Sequence, residues 1–214
     1  MIRRKSFAVF VAVFVLVVFS GPRIVFSEEA SPITKSPLKL RFIVDPEFGN
    51  ISEFGNTFIR KTKSAESVFE KIFSEASRAF RSEIGKNLMI ISIEYAIYTP
   101  PPEKVALSLN TELIIEWLEK ESKEHTGVII VFVTNRFLLS PLNFKFWSGY
   151  GVPGFLFFRY YGYDIPYTIE NFLHELGHAC GADHSWKRDS VMNPDVYGVR
   201  TYGDKRAIIK QNCG

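Results

Sequence analysis

Apolar residues recur with strand or helix spacing along most of the chain after residue 37. The segment "LKLRFIVDP" (38–46) alternates apolar and basic positions, which predicts a strand. The next segment, "SAESVFEKIFSEASRAFRSEIG" (64–85), places its apolar residues on one helical face, and Gly85 is expected to end this helix. The segment "NLMIISIEYAIY" (87–98) then predicts a second strand, which the three prolines at 100–102 end.

The second half of the chain continues this order of elements. Asn110 is expected to cap a helix in "TELIIEWLEKESKEH" (111–125), and "GVIIVFV" (127–133) is a continuous apolar run typical of a central, buried strand. The Gly-rich "FWSGYGVPG" (146–154) predicts irregular structure or an edge strand, and "FLFFRYYGY" (155–163) predicts another strand. Thr168 is expected to cap the last long helix, after which the pattern becomes irregular. The order indicates one mixed α/β (α+β) domain.

The first 27 residues have the layout of a secretory signal peptide. A basic start at 3–5 precedes an apolar run at 7–19, and small residues follow at Ser20 and Ser27. The run is shorter than the about 20 residues of a spanning helix, so we expect cleavage, with an uncleaved anchor as the alternative. This predicts a secreted, extracellular or cell-envelope protein, with no stable membrane span after cleavage. Residues 28–37 are expected to be a linker or a short pro-segment.

Composition and charge bound the remaining possibilities. The chain has 214 residues, 46% of them hydrophobic, which suits a single globular domain over 38–214. Residues 1–27 carry four basic residues and no acidic ones, so their removal changes the formal net charge from +3 to −1. A near-neutral chain with interspersed charges gives no reason to expect a nucleic-acid partner.

The segment "HELGHACGADH" (174–184) has the spacing of a metal site. His174 and His178 are four residues apart, so both imidazoles can reach one ion from the same helical face. His184 can join them only if the helix ends first, and Gly181 can adopt the left-handed conformation that ends helices. Three neutral imidazoles with one open position predict a catalytic Zn²⁺ site.

Glu175 gives this site a catalytic character. It is rotated about 100° from His174 on the helix, so it is badly placed as a ligand but able to accept a proton from a zinc-activated water. One of three aspartates could instead be the third ligand, although each is also typical of a turn or surface position: Asp183, Asp189 and Asp195.

This motif resembles the extended zinc signature of the metzincin metallopeptidases. Met192 follows His184 by eight residues and Pro194 comes two later, a spacing similar to that of the matrixins. The resemblance implies a zincin fold, with a twisted mixed sheet and helices packed above it in an upper subdomain (38–181). It also implies a small irregular lower subdomain (182–214) with a closing helix near the C-terminus.

The resemblance further implies a zinc endopeptidase, which the signal peptide predicts to be secreted and which we expect to be a monomer. His174, His178 and His184 would bind one zinc ion, and Glu175 would be the general base. Met192 would lie in a turn beneath the metal, and the segment containing Pro194 would border an apolar S1′ pocket. A protein or peptide substrate would lie extended in a cleft and pair with an edge strand near 149–154.

Several metzincin features have no counterpart in this sequence. The histidines of a second, structural zinc site are absent, no calcium-binding loop is evident in 144–167, and the calcium requirement stays open. No cysteine precedes Cys180, so a cysteine-switch form of latency is not expected. Ser185 replaces the cysteine expected of archaemetzincins, and Pro194 replaces the extra tyrosine ligand of astacins and serralysins.

The two cysteines, Cys180 and Cys213, have two interpretations. Each could be a small buried core residue. Secretion would oxidise thiols, however, and the chain has no other cysteines, so a disulfide between the closing helix and the motif helix is also predicted. A non-catalytic, zinc-stabilised extracellular binding module remains the alternative function, although such a module has no need for Glu175. A sensor or adhesion domain with a fortuitous motif is a more distant one.

Overall fold

The computed structural model describes residues 36–45, 65–95, 108–161 and 164–214. These residues form eight strands: β1 (Leu38–Val44), β2 (Leu88–Tyr95), β3 (Ser108–Asn110), β4 (Ile129–Thr134), β5 (Phe137–Ser140), β6 (Lys145–Trp147), β7 (Gly149–Val152) and β8 (Phe155–Arg159). They also form four α-helices: α1 (Ala65–Ile84), α2 (Thr111–Glu124), α3 (Ile165–Ala179) and α4 (Arg206–Cys213). A short 3₁₀ turn, Gly203–Lys205, leads into α4.

The main sheet has five strands in the order β2-β1-β4-β8-β7. The first four run parallel, and β7 pairs antiparallel with β8 at the edge. A smaller sheet has the order β3-β5-β6. This mixed arrangement with packed helices confirms the predicted fold class, and the strand predicted near 149–154 lies at the sheet edge.

Alternating side chains of β4 divide the hydrophobic core between the two faces of the sheet. Ile129, Val131 and Val133 face one cluster, which includes residues of α1, α3 and α4 and which we call the site-side core. Ile130 and Phe132 face a second cluster with α2 and the smaller sheet, which we call the far-side core. A central strand that is buried on both faces has a continuous run of apolar residues in its sequence. The run in β4 predicted such a strand, and every residue of β4 is buried.

Two of the predicted helix boundaries are confirmed. The side chain of Asn110 accepts hydrogen bonds from the backbone N–H groups of Glu112 (3.0 Å) and Leu113 (3.3 Å) at the start of α2. Gly85 follows α1 with a φ of 81°, a left-handed conformation that a glycine adopts without steric penalty.

The predicted cap at Thr168 is wrong, because α3 begins at Ile165. Asp164 caps the helix, since its side chain accepts from the backbone N–H of Tyr167 at 2.9 Å. Pro166 in the first turn costs no hydrogen bond there. Thr168 lies inside the helix, and its hydroxyl donates to the Asp164 carbonyl at 2.9 Å.

A buried ion pair at the carboxyl end of β1 had no signal in the sequence. The Arg136 guanidinium donates two hydrogen bonds of 2.7 Å to the Asp45 carboxylate, and the Thr134 hydroxyl donates a third. Both charged residues are almost fully buried. The pair joins the end of β1 to the turn that follows β4.

No described helix combines the length and apolarity needed to cross a bilayer. The predicted signal peptide (1–27) and most of the predicted linker (28–37) lie outside the described residues.

Candidate metal centre

Three histidine side chains converge at the C-terminal end of α3. His174 and His178 lie one helical turn apart, and their Nε2 atoms are 3.1 Å from each other. The helix ends before Gly181, whose φ is 82°, and the chain then returns His184 to the same point. One nitrogen from each of the three rings lies within 4.8 Å of the others. The turn at Gly181 therefore places the third imidazole where the sequence predicted it.

Backbone carbonyls orient two of these rings. The Nδ1–H of His174 donates to the Val191 carbonyl at 2.7 Å, and the Nδ1–H of His178 donates to the Ala182 carbonyl at 2.6 Å. Because Nδ1 carries the proton in each ring, the lone pair of Nε2 is left for a metal ion.

Burial keeps the paired imidazoles in their neutral form. It lowers the pKa of His174 to about 4 and also lowers the pKa of His178, with the neighbouring histidine rings contributing in the same direction. A metal ligand must be the neutral imidazole, so these shifts favour binding at neutral pH.

The donor set fits a zinc ion. Imidazole nitrogens suit zinc, and three of them leave a fourth tetrahedral position for a water or a substrate atom. Within the described residues, no other group of histidine, cysteine or carboxylate side chains converges in this way. The three aspartates considered as an alternative third ligand do not belong to it: Asp183, Asp189 and Asp195.

Glu175 lies between α3 and the edge strand β7, with 5% of its surface exposed. A Cβ atom placed on Gly149 would lie 2.6 Å from its Oε1 atom, and one placed on Gly151 would lie 3.0 Å from Cβ of His178. The two glycines therefore allow β7 to pass directly over the motif. Burial raises the pKa of Glu175 well above its usual value, which makes this carboxylate a stronger proton acceptor.

Met192 packs beneath the histidine-bearing turn of α3. It is fully buried, and a Cβ atom on Gly177 would lie 3.0 Å from its Cε and closer still to its sulfur. The Met192 carbonyl accepts from the backbone N–H of Ser185 at 2.9 Å, which ties the turn to the residue after His184. The Ser185 hydroxyl in turn donates to Asp204 at 2.6 Å.

The closing helix α4 is fastened to the end of α3. Cys180 and Cys213 form a disulfide with a Cα–Cα distance of 5.6 Å, so Cys180 is not available as a metal ligand. The side-chain amide of Asn212 donates to the Cys180 carbonyl at 2.8 Å. A Cβ atom on Gly181 would lie 2.7 Å from that amide nitrogen, so a larger residue there would displace the Asn212 side chain from this hydrogen bond.

A cleft opens beside His174 and Glu175, between α3 and the segment 193–197. Its lining is mixed, whereas the sequence predicted an apolar pocket. Pro194 borders it as expected. Four further lining residues carried no signal in the sequence, because they reach the cleft only through the packing of β7 and α3: Ser148, Tyr167, Glu170 and Asn171.

No protein-family model matches the chain, and no curated protein is similar to it in sequence. Its fold is similar to an archaemetzincin from Methanopyrus kandleri, with a TM-score of 0.57, 14% identity, and coverage of 86% of this chain and 98% of that one. A zinc-dependent peptidase from Methanocorpusculum labreanum gives a TM-score of 0.52 at 13% identity, covering 79% of this chain and 99% of that one. An archaemetzincin from Archaeoglobus fulgidus, complexed with malonate, gives a TM-score of 0.51 at 9% identity, covering 80% of this chain and 99% of that one.

These likenesses confirm the predicted zincin fold. The three structures named are archaemetzincins or a zinc-dependent peptidase, so they do not support the matrixin-like subtype that the motif spacing suggested.

Proposed function

We propose that this protein is a zinc-dependent endopeptidase of metzincin type. The observation that carries the proposal is the convergence of the nitrogens of His174, His178 and His184 beside the buried carboxylate of Glu175. A structural zinc site would fill all four positions with protein ligands, whereas this donor set leaves one open. The likeness in fold to a zinc-dependent peptidase supports the same function.

Different residues of the chain would carry out the separate steps of peptide-bond hydrolysis. A zinc ion held by the three histidines would acidify a water molecule and polarise the scissile carbonyl. Glu175 accepts the proton of the attacking water and passes it to the leaving amine. Met192 and Gly177 support the helical turn that carries His174 and His178.

The edge strand β7 offers a place for an extended substrate. It pairs with β8 on one side only and is the last strand of the sheet in the described part of the chain. A peptide can add to such an edge through backbone hydrogen bonds. The glycines at 149 and 151 bring this edge against Glu175, so an added peptide would pass over the metal centre.

We further propose that the protein acts outside the cytoplasm as a monomer. The basic and apolar start of the sequence supports secretion. The Cys180–Cys213 disulfide supports it independently, because such bonds persist in oxidising compartments. Within the metzincins, the motif spacing favours a matrixin-like subtype, while Ser185 departs from the cysteine expected of archaemetzincins.

Replacement of Glu175 by alanine tests this function. The purified chain and the variant are assayed for zinc content and for cleavage of an unfolded protein such as casein. We expect one zinc ion in both, and a loss of cleavage in Glu175→Ala of about 10²–10⁴-fold. Glu116→Ala, which removes an exposed carboxylate from α2, is the matched control and should cleave normally. A wild-type chain that holds one zinc but cleaves nothing would contradict the peptidase and favour a binding module.

A further inference from the structure

The cleft beside the metal centre contains a buried carboxylate. Glu170 lies one helical turn before His174 on α3, lines the cleft, and has 8% of its surface exposed. Its Oε2 accepts a hydrogen bond of 2.9 Å from the backbone N–H of Gly198. In the described part of the chain, this is the only hydrogen bond of the carboxylate, and no basic side chain pairs with it.

Burial of a charged carboxylate that has only one neutral hydrogen-bond donor is energetically unfavourable. Its desolvation is offset only when the charge is paired or fully hydrogen-bonded. The neighbouring Asn171 amide does not help, because it donates to the Ser148 carbonyl at 2.9 Å. The cleft is lined by two carboxylates, Glu170 and Glu175, and by no lysine or arginine. A cation that enters the cleft would complete the pairing.

Two tyrosines in contact form an aromatic wall of the cleft that suits the stem of a long basic side chain. The rings of Tyr167 and Tyr197 lie 5.3 Å apart between centroids, and both line the cleft. Tyr197 is 67% exposed and stands at the mouth, while Tyr167 is held from behind by Tyr161 at 4.8 Å. Aromatic faces pack against the methylene groups of lysine or arginine and attract their charge.

We propose that this cleft binds the side chain of a lysine or arginine adjacent to the scissile bond, with its cation paired to Glu170 and its stem packed along the wall that Tyr167 and Tyr197 form. This inference rests on the proposed peptidase function. It places the specificity of the enzyme on a charge within α3, one turn away from the metal ligands. A substrate with an acidic side chain at the same position is excluded by repulsion from Glu170 and Glu175.

A peptide series tests the proposal. The peptides are identical except for Lys, Arg, Gln, Leu or Glu on one side or the other of the scissile bond. The zinc-loaded full chain should cleave the Lys and Arg members with a kcat/KM about tenfold or more above the Gln and Leu members on one side, and the Glu member least. In Glu170→Gln, which keeps an oxygen for the Gly198 N–H, the Lys to Gln ratio should fall to about one.

Asp195→Asn is the charge-matched control. Asp195 is an exposed carboxylate on the same segment but outside the cleft lining, so its loss should leave the Lys to Gln ratio unchanged. Equal rates for Lys, Leu and Glu peptides in the wild type would overturn the proposal, as would a lysine preference that survives in Glu170→Gln. Should that variant not fold, the comparison of Lys and Glu peptides in the wild type decides alone.

A binding measurement separates this proposal from the proposed function. If the zinc-loaded chain cleaves none of the peptides, the peptidase function fails, and the affinities of the same peptides are compared by calorimetry. Lysine peptides that bind the wild type about tenfold more tightly than Gln peptides, with the difference lost in Glu170→Gln, would still support the cation-binding cleft. Equal affinities for Lys and Gln peptides would overturn it.

Discussion

The far-side core and the surroundings of the metal centre are packed by different means. On the far side, large aromatic side chains fill the space: Trp117 meets Phe132 edge-on at 5.7 Å, and Trp147 stacks on Phe157 at 6.5 Å. On the site side, the motif helix also packs an aromatic side chain, Phe172, against the sheet. Around the metal ligands, however, it meets its neighbours at glycines, where β7 crosses Glu175 and where Met192 lies under Gly177. Large side chains therefore stabilise the far-side core, whereas the metal centre depends on neighbours that approach closely at glycines.

This difference predicts opposite sensitivities. A far-side position should respond to loss of volume, because a cavity there removes dispersion and hydrophobic contacts without moving α3. A site-side glycine should respond to gain of volume, since even one methyl group must displace the backbone beside the histidines. Substitutions in the two regions should therefore separate stability from metal binding.

The largest effect is expected from Phe132→Ala in the far-side core. Phe132 is fully buried on β4, and truncation should lower the free energy of unfolding by about 3–5 kcal/mol. Zinc stoichiometry and peptide cleavage per folded molecule should not change. Denaturant unfolding with parallel metal analysis measures both. Phe146→Ala, on β6 and 68% exposed, is the control and should cost little. Zinc loss by folded Phe132→Ala protein would contradict the separation.

The disulfide should give the next largest effect, on the site side. Cys213→Ser opens a loop of 33 residues and should cost about 3–4 kcal/mol in the chain-entropy model. Zinc affinity should also fall, because α4 no longer holds the end of α3 beside Gly181. Reduction of the wild type should reproduce the loss, and a reductant should change nothing further in Cys213→Ser. An unfolding midpoint that does not change after confirmed reduction of the disulfide would contradict this prediction.

The features that depend on interactions between residues close together in the chain could be predicted from the sequence. Helical spacing places His174 and His178 on one face, a glycine ends the helix, and the structure brings His184 to the same point. The continuous apolar run at 127–133 predicted a central, buried strand, and β4 (Ile129–Thr134) lies at the centre of the sheet. The fold class followed from the order of such segments.

The features of the site that depend on long-range packing could not be predicted from the sequence. Glu170 is an ordinary helical glutamate in sequence, and only the return of the chain at Gly198 and the position of β7 make it a buried cleft residue. The start of α3 was misplaced because Asp164 and Thr168 are both residue types that cap helices, and the side chain of Asp164 caps this one, four residues earlier. The short strands of the smaller sheet carried too few residues for a pattern.

A smaller effect is expected from Gly151→Ala, which tests packing by close approach. The added methyl group would meet the backbone of Glu175 and Cβ of His178, so we expect a loss of about 1–3 kcal/mol together with weaker zinc binding. Gly127→Ala is the control. Gly127 has a φ of 77° and open space around it, so alanine there should cost about 1 kcal/mol of backbone strain and leave zinc affinity unchanged. Competition with a chromophoric chelator measures the zinc affinity of each variant, and equal affinities would show that β7 can move aside.

The smallest net effect, again confined to the site side, is the pH dependence of the metal-free protein, because two opposing contributions largely cancel. The pKa of His174 is lowered to about 4 by burial, whereas an unfolded histidine titrates near 6.5. Between these values the unfolded chain binds more protons, so His174 alone should raise stability with pH across this window by about 3 kcal/mol, at about 1.4 kcal/mol for each pKa unit. Glu175 opposes the rise, because its raised pKa means that stability is lost as the pH increases above about 4.5.

The variant Glu175→Gln isolates the contribution of the histidines. It removes the opposing carboxylate, so unfolding midpoints of the zinc-free variant should climb more steeply from pH 4 to 6.5 than those of the wild type. The additional substitution His174→Gln should flatten the climb again, because it removes one of the two imidazoles with a lowered pKa. Phe132→Ala should shift the whole profile downward without changing its slope, since the far-side core packs on the other face of the sheet from these groups. A stability profile of Glu175→Gln that is flat over this pH range would show that the packing of β7 and the Met192 turn does not desolvate the imidazoles. The contrast between the far-side core and the metal centre would then rest on steric effects alone.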